Sequence, residues 1–315
     1  MHFGDRLMEA IKKKNSVICV GLDPRLDQIP AFIIDKAVAK HDRTFKGAAA
    51  AFLEFNKGII DAVSDLVPVV KPQIAFYEQY GSEGIRAFEE TCEYAQEKGL
   101  LVIADAKRND IGSTADAYAK AFLGEVDLFG KETIALGADS LTVNAYLGLD
   151  GIKPFLKACH DFDAGIFVLV KTSNPSSGDI QDRVTADEEI SIAELMANFV
   201  DSWGFDLLGE SGYSSVGAVV GATYPKELQK LRKLMPATPL LVPGYGAQGG
   251  GAEDVAAAFD KDGLGAVVNS SRGIIFAYEQ ANSGAVGPIA KKGENYAEAA
   301  RDAVIKMNED LNGVR

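Results

Sequence analysis

Residues 101–112, LVIADAKRNDIG, run from four apolar residues into a charged turn that ends at Gly112. The same order, a short apolar run followed by a polar or glycine-rich turn, recurs along the whole chain with helix-like stretches between the repeats. The eight runs are Val17–Val20, Val67–Val70, Leu101–Ala104, Ser140–Val143, Ile166–Val170, Ala218–Gly221, Leu240–Val242 and Ala266–Val268. Continuous apolar strands are typical of a parallel sheet covered on both faces. Eight strand–helix units therefore predict an α/β fold, a (β/α)8 TIM barrel.

Amphipathic stretches between these runs supply the helices of the predicted units. They are Ala48–Ser64, Glu83–Lys98, Ala115–Leu123, Ile190–Trp203, Lys226–Met235 and Ala252–Phe259. Because no Pro/Ser-rich linker or block of charge interrupts the alternation, we expect residues 1–315 to form a single domain. Two segments are longer than ordinary connections, and we expect long loops at about 22–47 and 172–212. Both follow strand ends on the face where barrel active sites are built.

The composition narrows the classes of protein to which the chain can belong. Its 315 residues carry 32 Lys and Arg against 45 Asp and Glu, a net charge of −13, which lacks the basic surface that nucleic-acid binding needs. Three scattered cysteines (Cys19, Cys92, Cys159) suit a reducing compartment. Charges throughout residues 1–15 argue against a signal peptide, and the longest uncharged run, 234–252, holds three prolines and five glycines. We expect a cytoplasmic protein without a membrane partner.

The side chains that could take part in catalysis or binding follow the predicted strands. The turn after the third strand is the most informative of these positions. Asp105 and Lys107 are two apart and should share a strand face. Lys71 follows the preceding strand and can approach Asp105 from the side, while Asp110 can reach back or reach a neighbouring subunit. A lone Asp-x-Lys is usually a surface ion pair. Beside a second strand-end lysine, the pattern predicts an alternating Lys–Asp–Lys–Asp array that keeps its ammonium groups charged.

The turns after the last two strands predict an anion site. Residues 244–251, GYGAQGGG, can present backbone N–H groups, and Arg272 follows the eighth strand. Loops in these positions commonly bind phosphate in this architecture. The stretch also matches the dinucleotide pattern GxGxxG, but no strand with a terminal acid follows about 20 residues later. A phosphate loop is the favoured interpretation, and a plain turn is the alternative.

The sequence gives little evidence for a metal-binding site or for a nucleophilic catalytic residue. The three histidines (His2, His41, His160) lie away from the strand ends, and no zinc-binding spacing occurs. Asp23, Asp105 and Asp110 could hold magnesium, but two nearby lysines would oppose a cation. No Gly-x-Ser-x-Gly elbow or Cys–His pairing is present. These residues therefore predict a site without a bound metal.

The pattern Asp105-x-Lys107-x-x-Asp110-Ile111-x-x-Thr114, preceded by Lys71, resembles the active-site signature of the orotidine 5′-phosphate decarboxylase family. The stretch ADAKRNDIGSTADAYA at 104–119 is most similar to the longer, second bacterial subfamily. Agreement extends from Val20-Gly21-Leu22-Asp23-Pro24 to Arg272. Related barrels that share Asp-x-Lys usually require Mg²⁺ and carry an acid where this chain has Lys71.

The resemblance implies decarboxylation of orotidine 5′-phosphate to uridine 5′-phosphate, without metal or organic cofactor, by a homodimer with shared sites. Lys71, Asp105, Lys107 and Asp110 would be catalytic, with Lys107 as the proton donor. By the same resemblance the substrate would be bound by Asp23, Ile111, Thr114, Ser173, Pro243, Gln248, Ser271 and Arg272. Among these, Asp23 and Thr114 would take ribose hydroxyls, Ser173 and Pro243 the pyrimidine, and Gln248, Ser271 and Arg272 the phosphate.

Two other functions remain open on the sequence alone. One is a metal-dependent sugar-phosphate aldolase or decarboxylase of related fold, whose activity EDTA would abolish. The other is a non-catalytic barrel that binds uridine 5′-phosphate and leaves orotidylate unchanged. The paired strand-end Lys and Asp residues disfavour the second.

Overall fold

The computed structural model describes residues 1–246, 250–281 and 293–315. In chain order these residues form the strands β1 Ile18–Leu22, β2 Val69–Pro72, β3 Leu101–Arg108, β4 Glu125–Asp127, β5 Glu132–Ile134, β6 Ser140–Val143, β7 Gly165–Lys171, β8 Val216–Val220, β9 Leu240–Val242 and β10 Ala266–Ser270. Eight of them pair in parallel around a closed barrel in the order β1, β2, β3, β6, β7, β8, β9, β10, and β10 pairs back onto β1. The two short strands β4 and β5 form a separate antiparallel pair.

The predicted (β/α)8 barrel is confirmed, since each of the eight apolar runs overlaps one barrel strand. The runs at 140–143 and 240–242 match β6 and β9 residue for residue. Buried Val, Ile and Leu side chains dominate the strands because both faces of the sheet are covered.

Helices surround the barrel. They are α1 Phe3–Lys14, α2 Ala31–His41, α3 Phe45–Val63, α4 Ala75–Glu78, α5 Gly81–Glu97, α6 Gly112–Leu123, α7 Leu149–Asp161, α8 Gly178–Gln181, α9 Ile192–Gly204, α10 Pro225–Leu234, α11 Ala252–Val255, α12 Arg272–Ile275, α13 Ala277–Ala281 and α14 Tyr296–Asn312. All six predicted helical stretches overlap one of them. Within the described ranges, no helix is long and apolar enough to cross a membrane.

Both of the long segments expected at about 22–47 and 172–212 contain helices, of which the one at 190–203 was predicted and those at 31–41 and 178–181 were not. The first contains α2, which buries Ile33 and Ala37 one turn apart against the core. The second contains α8 and α9, and α9 begins with a capping box in which Ser191 and Glu194 satisfy each other's backbone N–H groups. Burial of one face stabilises α2, although the sequence analysis did not predict this helix.

Helix α1 packs at the end of the barrel where the strands begin. Its Phe3 ring lies edge-on to Phe167 of β7, with 6.0 Å between centroids. A side chain at Gly165, the first residue of β7, would collide with that Phe3 ring. One end of the barrel is therefore filled by apolar packing, and the opposite end, where the strands finish, is left to the polar residues.

Candidate active site

The strands β2 and β3 continue past their apolar runs, which corrects the expectation that the charged residues lie just after the strands. Lys71 is paired in β2 with Gly21 of β1, and Asp105 and Lys107 lie inside β3. An apolar run marks where a strand is buried, whereas the backbone ladder continues where charged side chains neutralise one another. The register of β3 against β6 shifts between Ala104 and Arg108. In that interval Lys107 adopts a left-handed backbone with φ of 47°.

Lys71, Asp105 and Lys107 form a continuous chain of charges, as the sequence predicts. Lys71 Nζ lies 2.7 Å from Asp105 Oδ2, and Lys107 Nζ lies 2.5 Å from Asp105 Oδ1. The side chains of Lys71 and Asp105 are only 6% and 9% exposed, whereas that of Lys107 is 45% exposed. The buried carboxylate thus holds one ammonium group inside the barrel and a second at its open mouth.

The pKa shifts show that the buried pair is held in its ionised form. Burial alone would raise the pKa of Asp105, but the ammonium groups of Lys71 and Lys107 lower it well below the usual range. Burial alone would lower the pKa of Lys71, but the carboxylates of Asp105 and Asp23 raise it above its usual value. Each partner therefore depends on the other for its charge.

We expect Asp105→Asn to lower the free energy of unfolding by about 3–5 kcal/mol at pH 7, because it leaves the Lys71 ammonium buried without its main partner. Burial then depresses the folded-state pKa of Lys71 below its unfolded value of about 10.4. The folded state of the variant consequently binds fewer protons than the unfolded state, and its stability rises with pH. Urea unfolding of both proteins at pH 7 and pH 9.5 measures whether the deficit shrinks.

The matched control for that experiment is Asp61→Asn, which removes the carboxylate of an exposed ion pair with Lys98. It should cost less than about 1 kcal/mol, because exposed ion pairs contribute little. An Asp105→Asn deficit that is equal at both pH values would contradict the buried-charge explanation.

Thr142 of β6 belongs to the same group, and the sequence analysis did not identify it. Its buried hydroxyl donates to Asp105 Oδ1 over 2.9 Å and accepts the backbone N–H of Lys107, also over 2.9 Å. The hydroxyl thereby replaces the strand partner that the shifted register denies to the Lys107 N–H. Thr142 stands inside an apolar run, where threonine is also an ordinary strand residue, so the sequence carried no signal for this role.

The end of β1 lies beside this group. Asp23 follows β1 directly, and its Oδ1 atom is buried without a hydrogen-bond partner among the residues that the structure describes. Gly21 in β1 has no room for a side chain, since a Cβ there would lie 1.8 Å from Ser271 Oγ. The predicted ribose residue Asp23 and the predicted phosphate residue Ser271 thus come from adjacent strands, β1 and β10.

Two glycines of the turn after β9, Gly244 and Gly246, have a backbone conformation that only glycine adopts easily. Gly244 and Gly246 have φ values of 99° and 72°, and the Gly246 N–H donates to the Gly250 carbonyl over 2.8 Å. Arg272 begins α12 after the neighbouring strand β10 and is exposed. Gln248, the third predicted phosphate residue, lies outside the described residues. The parts of the predicted anion site that are described therefore follow adjacent strands.

The predicted pyrimidine residues lie at the ends of β7 and β9. Ser173 packs against Gly221 at the end of β8, where a Cβ on Gly221 would lie 2.9 Å from the Ser173 Cβ. The Pro243 carbonyl after β9 accepts the Ala222 N–H over 2.8 Å. These contacts connect the turns after three consecutive strands.

Asp110, Ile111 and Thr114 lie where α6 begins, and they do not join the charged group of their own chain. Asp110 Oδ1 accepts the Ile111 N–H over 2.8 Å, and within the described residues Asp110 makes no ion pair with Lys107. Ile111 is the N-cap residue of α6 and provides no side-chain cap. Ile111 is 52% exposed, and Thr114 is also exposed. Three members of the predicted array therefore meet in one chain, whereas the half-buried Asp110 forms no ion pair with them in the described residues.

Comparison with known proteins places this arrangement in a family. The sequence profile described as the orotidine 5′-phosphate decarboxylase / HUMPS family matches residues 16–285. The chain belongs to this family. It is 49% identical over 315 residues to the orotidine 5′-phosphate decarboxylase of Rhodopirellula baltica, covering 99% of this chain and 100% of that protein. It is 45% identical over 279 residues to that of Caldicellulosiruptor saccharolyticus, covering 89% and 91% of the two chains.

The barrel is also similar to solved members of the orotidine 5′-phosphate decarboxylase family. The structure of Leishmania donovani OMP decarboxylase matches with a TM-score of 0.72 and 30% identity, covering 100% of this chain and 98% of that chain. The predicted resemblance to the family, and with it the prediction of a carboxy-lyase, is confirmed.

Proposed function

We propose that this protein decarboxylates orotidine 5′-phosphate to uridine 5′-phosphate and CO2, the last step of UMP synthesis. The observation that carries the proposal is the Lys71–Asp105–Lys107 chain, in which a buried carboxylate holds a half-exposed ammonium group at the barrel mouth. The relatives that match along nearly the whole chain are named for this reaction.

The difficult step is heterolysis of the bond between C6 of the pyrimidine and its carboxylate. The electron pair stays on C6, CO2 leaves, and the Lys107 ammonium delivers a proton to C6 before taking one back from water. The Lys107 charge stabilises the developing carbanion, and the same group then acts as general acid. Asp105 lies beside the departing carboxylate, disfavours it through like-charge repulsion, and orients Lys107. Lys71 keeps Asp105 ionised and contacts the ribose.

The remaining predicted residues bind different parts of the substrate at the ends of different strands. Asp23 takes ribose hydroxyls, Ser173 and Pro243 hold the pyrimidine, and Gln248, Ser271 and Arg272 bind the phosphate. Support comes from the placement of Asp23 beside Lys71 and from the left-handed glycines next to β10. Phosphate binding far from C6 supplies energy that the reaction step can use.

We propose that the reaction needs no metal or organic cofactor. Both Asp105 oxygens are engaged by ammonium groups, and Thr142 adds a further donor to Oδ1. A divalent cation at that carboxylate would have to displace two positive charges.

We also propose that the reaction takes place in the cytoplasm. The three cysteines are unpaired and buried, which fits a reducing compartment.

We propose a homodimer in which Asp110, Ile111 and Thr114 enter the partner's site. Ile111 is exposed, and so are Tyr146, Leu147 and Leu149, which lie before and at the start of α7. Gly151 of that helix lies against the Asp110 carbonyl. Apolar side chains grouped on a surface usually mark an interface. An Asp110 that is near Lys107 in sequence and unpaired with it in its own chain fits a role in a second subunit.

A continuous ultraviolet assay with purified protein and orotidine 5′-phosphate, in the presence of EDTA, tests the function. We expect loss of orotidylate absorbance and formation of uridine 5′-phosphate at a rate unaffected by EDTA. Activity that EDTA abolishes would favour the metal-dependent aldolase or decarboxylase class. Binding of uridine 5′-phosphate without turnover of orotidylate would indicate a non-catalytic barrel.

We expect Thr142→Val to lower kcat by about tenfold, because it leaves the Lys107 N–H without its acceptor and removes one donor from Asp105. KM should change less than twofold, since Thr142 is buried beneath the charged group. Thr142→Ser keeps the hydroxyl and serves as the matched control with near-normal kcat. Steady-state kinetics of the three proteins measure this, and equal losses in the Val and Ser variants would contradict it.

A further inference from the structure

Lys171, the last residue of β7, is a buried cation that the proposed reaction does not use. Its side chain is 1% exposed, a burial that lysine reaches only when it is paired. We propose that Lys171 is a positioning residue for pyrimidine recognition: it holds the turn that carries Ser173 against the neighbouring turn after β8. The inference rests on the proposed function and deepens it.

The ammonium group of Lys171 joins residues from two separate segments. It forms an ion pair with Asp182, the residue directly after α8, and lies 3.5 Å from Glu227 Oε2 in the first turn of α10. It also lies 4.7 Å from the centre of the Tyr224 ring, directly before α10. The Lys171 ammonium therefore connects the segment after β7, residues 172–182, to the start of α10, the helix after β8.

A second contact joins the first residues of this segment to its last residues. The Thr172 N–H donates to Gln181 Oε1 over 2.9 Å, and Gln181 Nε2 donates to Thr172 Oγ1 over 2.8 Å. Together with the Lys171–Asp182 pair, this contact makes residues 172–181 a loop with its two ends fixed to each other. Ser173 lies one residue inside the closure, so its position follows from the closure rather than from the strand ladder.

The same closure places Ser173 against β8. The Gly221 N–H donates to the Lys171 carbonyl over 2.8 Å, and Gly221 has no side chain that would push Ser173 away. The chain direction at Lys171 thus determines where the Ser173 hydroxyl and the adjacent backbone N–H groups lie relative to the barrel mouth.

Stability alone is a poor reason for such a residue. Burying an ammonium group costs free energy, and apolar replacements of buried ion pairs are often neutral or stabilising. An ion pair also fixes the relative positions of the segments that carry its charges, because the ammonium group has to lie next to the carboxylates. A methionine of similar length would fill the same space without fixing the ends of the loop.

The test compares Lys171→Met with Lys171→Arg, which keeps the charge, in calorimetric titrations with uridine 5′-phosphate and with ribose 5-phosphate. We expect Lys171→Met to weaken uridine 5′-phosphate at least tenfold and to leave ribose 5-phosphate within twofold, because only the first ligand carries a pyrimidine. Lys171→Arg should recover most of the affinity. Arg272→Ala is the matched control and should weaken both ligands by similar factors.

Asp182→Asn is the second variant, because its side chain is half-exposed and its loss leaves the Lys171 ammonium with Glu227. It should reduce affinity for uridine 5′-phosphate in the same direction and to a smaller extent, even if Lys171→Met fails to fold. Equal weakening of both ligands by the Lys171→Met and Asp182→Asn variants, or no weakening of either, would overturn the inference. Failure of the unmodified protein to bind uridine 5′-phosphate or to consume orotidylate would instead overturn the proposed function.

Discussion

Lys107→Ala should lower turnover of orotidine 5′-phosphate by at least about a hundredfold, because general acid catalysis by a placed group contributes roughly 10²–10⁴-fold. The Lys107 ammonium is the exposed member of the charged group, 2.5 Å from a carboxylate that is itself buried. Lys71 cannot replace it, since its side chain is only 6% exposed and already bonded to Asp105. Pre-steady-state and steady-state measurements of CO2 release measure the loss.

We expect the fold to survive Lys107→Ala. A second variant, Lys107→Gly, tests the backbone conformation at this position. Lys107 has a left-handed backbone, which costs residues other than glycine about 1–2 kcal/mol. Lys107→Gly should therefore be more stable than Lys107→Ala by about 1 kcal/mol, while both lack the amine and are equally inactive. Lys12→Ala, on α1 at the opposite end of the barrel, is the control and should keep full activity. An alanine variant that retains more than about a hundredth of the activity would contradict the role of Lys107 as proton donor.

The residues that the sequence revealed and those it concealed differ in a physical way. Lys71, Asp105 and Lys107 were predictable, because charged side chains directly after apolar runs stand out and parallel strands end at one edge. Thr142 was not, because its hydroxyl matters only through the shifted register between β3 and β6. That shift depends on two strands that are distant in sequence, and neither strand shows it alone.

The same distinction holds for the helices. The six predicted helices have clear amphipathic spacing, whereas α7 contains Pro154, which argues against a helix when the sequence is considered alone. Lys171 was visible as a polar residue at the end of the fifth predicted strand. Its meaning was not, since Asp182 and Glu227 come from different segments that only the folded chain brings together.

The position of Asp110 leads to the prediction about assembly. In its own chain Asp110 accepts the Ile111 N–H, and the neighbouring surface is apolar and exposed. If Asp110 acts in the partner's site, a Lys107→Ala chain and an Asp110→Ala chain, each inactive as a homodimer, should restore activity when they are mixed. In the mixed dimer one site receives both lesions, and the other receives an intact Lys107 from one chain and an intact Asp110 from the other.

Random subunit exchange makes half of the dimers mixed, and each mixed dimer has one intact site of two. We therefore expect recovery to about a quarter of the unmodified activity, because a C2 dimer has two equivalent sites. Native mass spectrometry confirms that exchange has occurred, and Lys107→Ala mixed with Lys107→Arg is the control that cannot form an intact site. If Asp110 acted within its own chain, each site of the mixed dimer would still carry a lesion. Activity that stays at the level of the two separate variants after confirmed exchange would therefore exclude the shared site.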